Sequence, residues 1–291
     1  MAPPEPALVA EVTALLDAAA AAREQTRRLV AEQALARISA MTDPAAWWSA
    51  ARTTALVRAL ARASRAGQRQ TAATTAAYAA RVMTLMLGRT VRPQQVVDAS
   101  RARGVPLEDV YGRLADYYRV LTATRGPDSP HLEGRKPLNR QQILDRVLAR
   151  AELYVHTDQR LAFRDQWASA MEASPSRIVG YRRVIHPELA VKTGTCGLCV
   201  VASDHHYTRG DLLPVHERCG CDVAPVVGKW HGPGDPGSSI NAADLAGLYK
   251  AAGGSTSGQD LKRVRVQVVT DPELGPQLQL ASGPGVQPAA S

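Results

Sequence analysis

The sequence predicts an α+β fold, mainly α: a long N-terminal helical domain followed by a small Cys/His-clustered α/β module. Three observations carry this. Alanine supplies much of the hydrophobic content while aromatics make up only 4%, with Phe163 the one phenylalanine, a composition suited to long helices packed through small side chains. Apolar residues recur with a helical period through most of the first 173 positions. All four cysteines fall between Cys196 and Cys221, in CGLCVVASDHHYTRGDLLPVHERCGC, where the chain turns β-branched and turn-rich. A length of 291 residues allows one large domain or two smaller ones.

The expected boundaries are 1–173 for the helical domain, 174–230 for the Cys-rich module, 231–270 for a linker, short helix and strand, and 271–291 for a flexible tail. Pro6 to Ile38 reads as one helix: Val12, Leu15, Leu16, Ala19, Leu29, Val30 and Ala34 line one face, and Arg23, Glu24, Arg27 and Arg28 fill the other. Thr42-Asp43-Pro44 opens the next helix, which runs to Gly88 with Gly67 as a candidate break. Trp47 and Trp48 are adjacent and cannot both face one core, so one is expected to meet another element, a partner or solvent.

Beyond Pro93 a helical pair is expected, Gln94–Ala102 and Pro106–Thr122, then a Gly/Pro loop from Arg125 to Gly134. A long helix follows, Asn139–Ala173, stopped by Ser174-Pro175. VVASDHHYTRGDLLPV reads as two short strands around a polar turn. Gly232–Ser239 is a linker, Asn241–Ala252 a short helix, Gly253–Gly258 a hinge, and Val264–Val269 alternates as a strand.

The formal net charge is +8, which raises contact with nucleic acid or another acidic surface. No Lys/Arg block of five or more occurs, and the charges spread as Arg and Glu along helices, so solvated helix faces are the expectation. MAPPEPALVAEV lacks the charged and apolar regions of a signal peptide, and no apolar run of roughly 18 residues suits a membrane. A cytoplasmic, reducing setting is therefore expected, with no membrane partner, and it tilts the cysteines toward metal.

Cys196-x2-Cys199 and His216-x2-Cys219-x-Cys221 have metal-ligand spacing. Zinc takes four ligands, and five candidates are present: Cys196, Cys199, Cys219, Cys221 and His216. Four protein ligands leave no open position for a catalytic water, so a structural zinc is expected, with His216 replacing one cysteine or supporting from outside. Two disulfides, buried metal-free thiols and a redox-active pair are the alternatives. His205-His206 beside Asp204 reads as an exposed turn, and His186 as a bracing histidine.

The same window carries a family resemblance. Tyr181-Arg182-Arg183, Cys196-Gly197-Leu198-Cys199, Tyr207 with Leu212-x-Pro214, and His216-x2-Cys219-x-Cys221 followed by Pro225 resemble the C-terminal module of MuF-like phage head-morphogenesis (minor capsid) proteins. Asp165-Gln166-Trp167 fits the same pattern, and Asp271-Pro-Glu-Leu-Gly-Pro is similar to a short C-terminal segment of related actinobacteriophage proteins. The match covers about residues 140–228, and the first 130 in helical character alone. The resemblance implies a low-copy virion protein of the capsid interior, assembled in the host bacterial cytoplasm. It also implies portal, major capsid and scaffold proteins as partners, with packaged DNA as a further contact.

Two other classes stay open. A capsid maturation protease would draw on Ser203 with Asp204 and His205 or His206, although no Gly-x-Ser-x-Gly elbow and no His-Glu-x-x-His helix occurs. A zinc-dependent nucleic-acid binder would draw on Arg177, Arg182, Arg183, Lys262, Arg263 and Arg265.

Overall fold

Four long helices account for just over half of the described residues. The structure, a computed structural model, describes residues 6–186, 195–209, 221–228, 242–271 and 275–280. It begins with α1 (Pro6–Ser39), a 3-10 turn (Pro44–Trp48), α2 (Ala50–Leu87), α3 (Leu107–Arg125) and α4 (Arg140–Glu172). The second part holds β1 (Ile178–Val184), β2 (Thr195–Cys196), α5 (Gly197–Ser203), β3 (His206–Thr208) and β4 (Asp222–Val227). It closes with α6 (Ala242–Ala251), α7 (Gly258–Arg263), β5 (Arg265–Asp271) and β6 (Gly275–Leu280). The protein is a mainly helical α+β fold, a long helical region followed by a small β-sheet module with the cysteines nearby.

The local departures from the sequence reading have physical causes. Asp43 does cap, its carboxylate accepting the Ala45 N–H at 2.9 Å, but it opens only the short 3-10 turn. Trp47 decides this: its ring stacks on Tyr118 at 4.3 Å, and Arg119 Nε donates to its carbonyl at 2.9 Å, drawing away an acceptor that a continuing helix would use. Trp47 is 1% exposed and its neighbour Trp48 57%. Gly67 does not break α2; a Cβ there would crowd the Val30 side chain and stand 2.9 Å from Gln159 Nε2, so glycine lets α1 and α4 approach.

Gln94–Ala102 forms no helix. Its backbone bonds to side chains instead: Gln166 Oε1 accepts from Val97 N at 2.9 Å, Asp98 Oδ1 from Ser100 N at 3.0 Å, and Gln68 Nε2 donates to Ala99 O at 3.1 Å. Val200–Ser203, read as strand, closes helix α5. Residues 275–280, read as tail, form β6; Gln277-Leu278-Gln279-Leu280 alternates with period two, and the strand pairs antiparallel with β5.

The chain divides into two compact units. One unit comprises Arg23–Thr74 and Val96–Gln166. Its core gathers Val30, Ile38, Trp47, Leu60, Tyr111, Leu114, Val147 and Val155 from α1 to α4. A polar network runs through it around Asp158, whose carboxylate accepts from Ser64 Oγ at 2.9 Å, Tyr111 OH at 2.9 Å and Arg103 Nε at 2.6 Å.

The other unit comprises the described residues of Met1–Ala22, Thr75–Gln95 and Trp167–Ser291. It holds two antiparallel three-stranded sheets, ordered β3-β1-β4 and β2-β5-β6. Val12 and Leu16 of α1 and Val82 of α2 cover Val184 of β1 and Ala224 of β4. Among the described residues no helix is long and apolar enough to cross a membrane.

Candidate functional site

Strand β1 is the central strand of its sheet, with β4 along one edge and β3 along the other at Gly180, Tyr181 and Arg182. Tyr181, Arg182 and Arg183 are all under 7% exposed. Tyr181 lies opposite Tyr207 of β3, and the rings stack at 5.2 Å, an interplanar angle of 12°. Arg182 lies opposite His206 and hydrogen-bonds its ring. The Arg183 guanidinium stands over the Tyr207 ring, 5.5 Å from its centroid. Gly180 makes the pairing possible, since a Cβ there would collide with the Tyr207 carbonyl.

The described cysteines meet at one side of this sheet module. Cys196 ends β2 and precedes α5; Cys199 lies in the first turn of α5. Cys221 stands immediately before β4. All three are buried, and they share a cluster with Ile185, Val200, Leu248, Leu261, Val264 and Val266. The turn is pinned where Gly197 N donates to Val264 O at 2.9 Å. Tyr207 borders the same cluster: burial pushes its hydroxyl above the usual tyrosine range, Arg183 opposes that, and Cys221 and Cys199 add to it.

Cys196 Sγ and Cys199 Sγ are 3.3 Å apart. A disulfide needs about 2.05 Å. Two thiolates on a tetrahedral zinc with bonds of about 2.3 Å stand about 3.8 Å apart. The pair therefore stands about half an ångström inside a zinc-ligand separation, and a soft cation suits a set of buried sulfurs. His216 and Cys219 lie outside the described residues, as do Leu212 and Pro214. Among the described residues no group of three or more His, Cys, Asp or Glu encloses a metal position.

The remaining sequence candidates fall in different surroundings. Ser203 is buried, and its hydroxyl donates to Val200 O at 2.7 Å, an intrahelical bond. Asp204, His205 and His206 are exposed, and among the described residues no hydrogen bond joins Ser203 to either histidine. His186 is buried between two carboxylates, with Nδ1 3.4 Å from Asp17 Oδ1 and Nε2 3.7 Å from Asp222 Oδ2. Arg182 and Arg183 are buried in the sheet, while Arg177, Lys262 and Arg263 are exposed, Arg177 Nη1 donating to Leu87 O at 3.5 Å.

One residue that sequence reasoning passed over organises the module's entry. Arg209 donates to the carbonyls of Met171 at 3.0 Å, Glu172 at 3.2 Å and Ser174 at 2.6 Å, closing the C-terminal end of α4. Its partners lie 35 to 38 residues earlier, so no local pattern marks it.

No family model matches the chain, and neither a curated protein nor a solved structure matches it.

Proposed function

We propose that this chain is a MuF-like phage head-morphogenesis protein, a minor capsid protein acting at the portal or the procapsid interior. Its sheet module would be stapled by a structural zinc. The observation that carries the reading is convergence. Tyr181, Arg182, Arg183, Cys196, Cys199, Tyr207 and Cys221, the described residues of the motif, belong to the β1-β3-β4 sheet and the adjoining cysteine cluster. A motif kept for local reasons would not need its parts to meet across 40 positions of chain.

Cys196, Cys199 and Cys221 would hold the metal, with Cys219 or His216 completing the set. Bound there, zinc supplies cross-linking and no chemistry: it ties β2, α5 and the start of β4 together. The partners proposed are the portal, major capsid and scaffold proteins.

Two measurements test the two halves separately. Elemental analysis of purified protein is expected to give close to one zinc per chain, lost in Cys199→Ser together with protection of the β1-β3-β4 amides. Stable, metal-free protein would remove the staple. Co-expression with portal, scaffold and major capsid proteins is expected to yield heads carrying the chain at low copy. Heads that assemble and purify without it would remove the head-protein assignment.

A further inference from the structure

Helix α2 contains six arginines and no aspartate or glutamate in 38 residues. Four of them, Arg58, Arg62, Arg65 and Arg69, are spaced four, three and four apart. At 3.6 residues per turn they fall within about 60° of arc, a single stripe about 16 Å long. All four belong to the unit formed by Arg23–Thr74 and Val96–Gln166. Arg58, Arg62 and Arg69 are exposed, and Arg65 is partly so.

Their carboxylate neighbours are few. Glu108 of α3 pairs with Arg65 at 3.1 Å. Asp98 lies close enough for its carboxyl to be held low, by the Ser100 backbone N–H and hydroxyl first and then by Arg69 and Arg65. Among the described residues no carboxylate comes within 4.0 Å of Arg58, Arg62 or Arg69. By contrast Arg52, about 120° around the same helix, is matched by Asp43 at 2.9 Å. A solvated helix face ordinarily mixes signs at i, i+4 spacing; this one does not.

We infer that the Arg58–Arg62–Arg65–Arg69 stripe is a docking surface for the phosphate backbone of double-stranded nucleic acid. Helical steps of three and four residues set successive arginines roughly 4.5 to 6 Å apart along the axis, a spacing that lets neighbouring guanidiniums take phosphates of one strand. Small residues flank the stripe: Thr54, Ala55, Ala66 and Ala73 are all exposed. They let a rod-like polyanion approach closely. Helix α2 itself carries no aromatic residue from Ala50 to Ala77 on which an unpaired base would stack, so the stripe suits duplex over single strand, without sequence preference. The stripe and the cysteine cluster belong to different compact units, and the inference does not rest on the head-protein assignment.

Fluorescence anisotropy of the full-length chain with a labelled random-sequence DNA duplex, repeated across salt, tests it. Four contacts predict a log–log salt slope of about −3.6, a loss on the order of 100-fold between 50 and 200 mM. The triple variant R58Q/R62Q/R69Q is expected to bring the slope to about −0.9, while R52Q leaves it unchanged. R58K/R62K/R69K, which keeps the charge, is expected to retain most of the binding and shows that the loss is not a folding defect. The inference is overturned if the wild-type chain fails to bind duplex DNA, if the Gln triple variant keeps the wild-type slope, or if polyglutamate displaces the duplex. That last result would make the partner an acidic protein face.

Discussion

Tyr111→Phe should destabilise the α1–α4 unit by about 2 kcal/mol, and the structure says why the number is neither smaller nor larger. Tyr111 is fully buried and its hydroxyl donates to Asp158 Oδ2 at 2.9 Å. Burial, and then the Asp158 charge, push that hydroxyl well above the usual tyrosine range, so it is a fixed donor at all ordinary pH. A hydrogen bond to a charged acceptor contributes roughly 1.5 to 3 kcal/mol. Asp158 keeps Ser64 and Arg103 after the change, which holds the cost away from the upper end. Phenylalanine preserves the edge-to-face contact with Tyr154 at 6.1 Å, so little packing is lost. Urea unfolding with the slope unchanged, read together with amide exchange across α3, gives the quantity directly. Adding Asp158→Asn completes a double-mutant cycle, in which a coupling on the order of 1 kcal/mol or more is expected. A cost under about 0.5 kcal/mol, or a coupling near zero, would refute the reasoning that this carboxylate depends on the tyrosine.

Two further outcomes follow from particular contacts. Gly180→Ala forces a Cβ against the Tyr207 carbonyl, so β3 is expected to detach from β1 at a cost of about 1 to 3 kcal/mol, seen as fast exchange of the His206–Thr208 amides; unchanged protection there would contradict it. Glu24 is partly buried, which raises its carboxyl, but Arg27 at 2.6 Å and Arg28 at 2.9 Å outweigh burial and hold it below the ordinary 4.5. Its folded pKa is thus below the unfolded one, so its stabilisation is full above about pH 4.5 and fades as pH falls through the folded value. Glu24→Gln should then cost about 0.5 to 1 kcal/mol at pH 7 and nothing in strong acid, and a penalty independent of pH would count against the pairing.

Periodicity over tens of residues was legible along the chain. α1, α3 and α4 lie within a few residues of their expected bounds, but the faces read for α1 are partly reversed: Leu29 is exposed, and Arg23 is buried with its guanidinium over the Phe163 ring. Short segments were not legible in the same way. Gln94–Ala102 has helical-looking spacing, yet Gln166 and Gln68 from distant helices claim its backbone. Val200 and Val201 favour strand, yet α5 buries Cys199 and Val200 against Leu248 and Leu261. In both, a few tenths of a kcal/mol of local preference gave way to tertiary contacts worth more.

The cysteine spacing, the arginine register on α2 and the helical period are properties of the string alone, because each depends on distances along the chain. Which of two adjacent tryptophans is buried, which donors surround Asp158, and how Arg209 closes α4 depend on residues tens of positions apart. Those were decided only by the tertiary structure, because burial and hydrogen-bond partners are set by what the chain brings alongside and not by what precedes or follows in sequence.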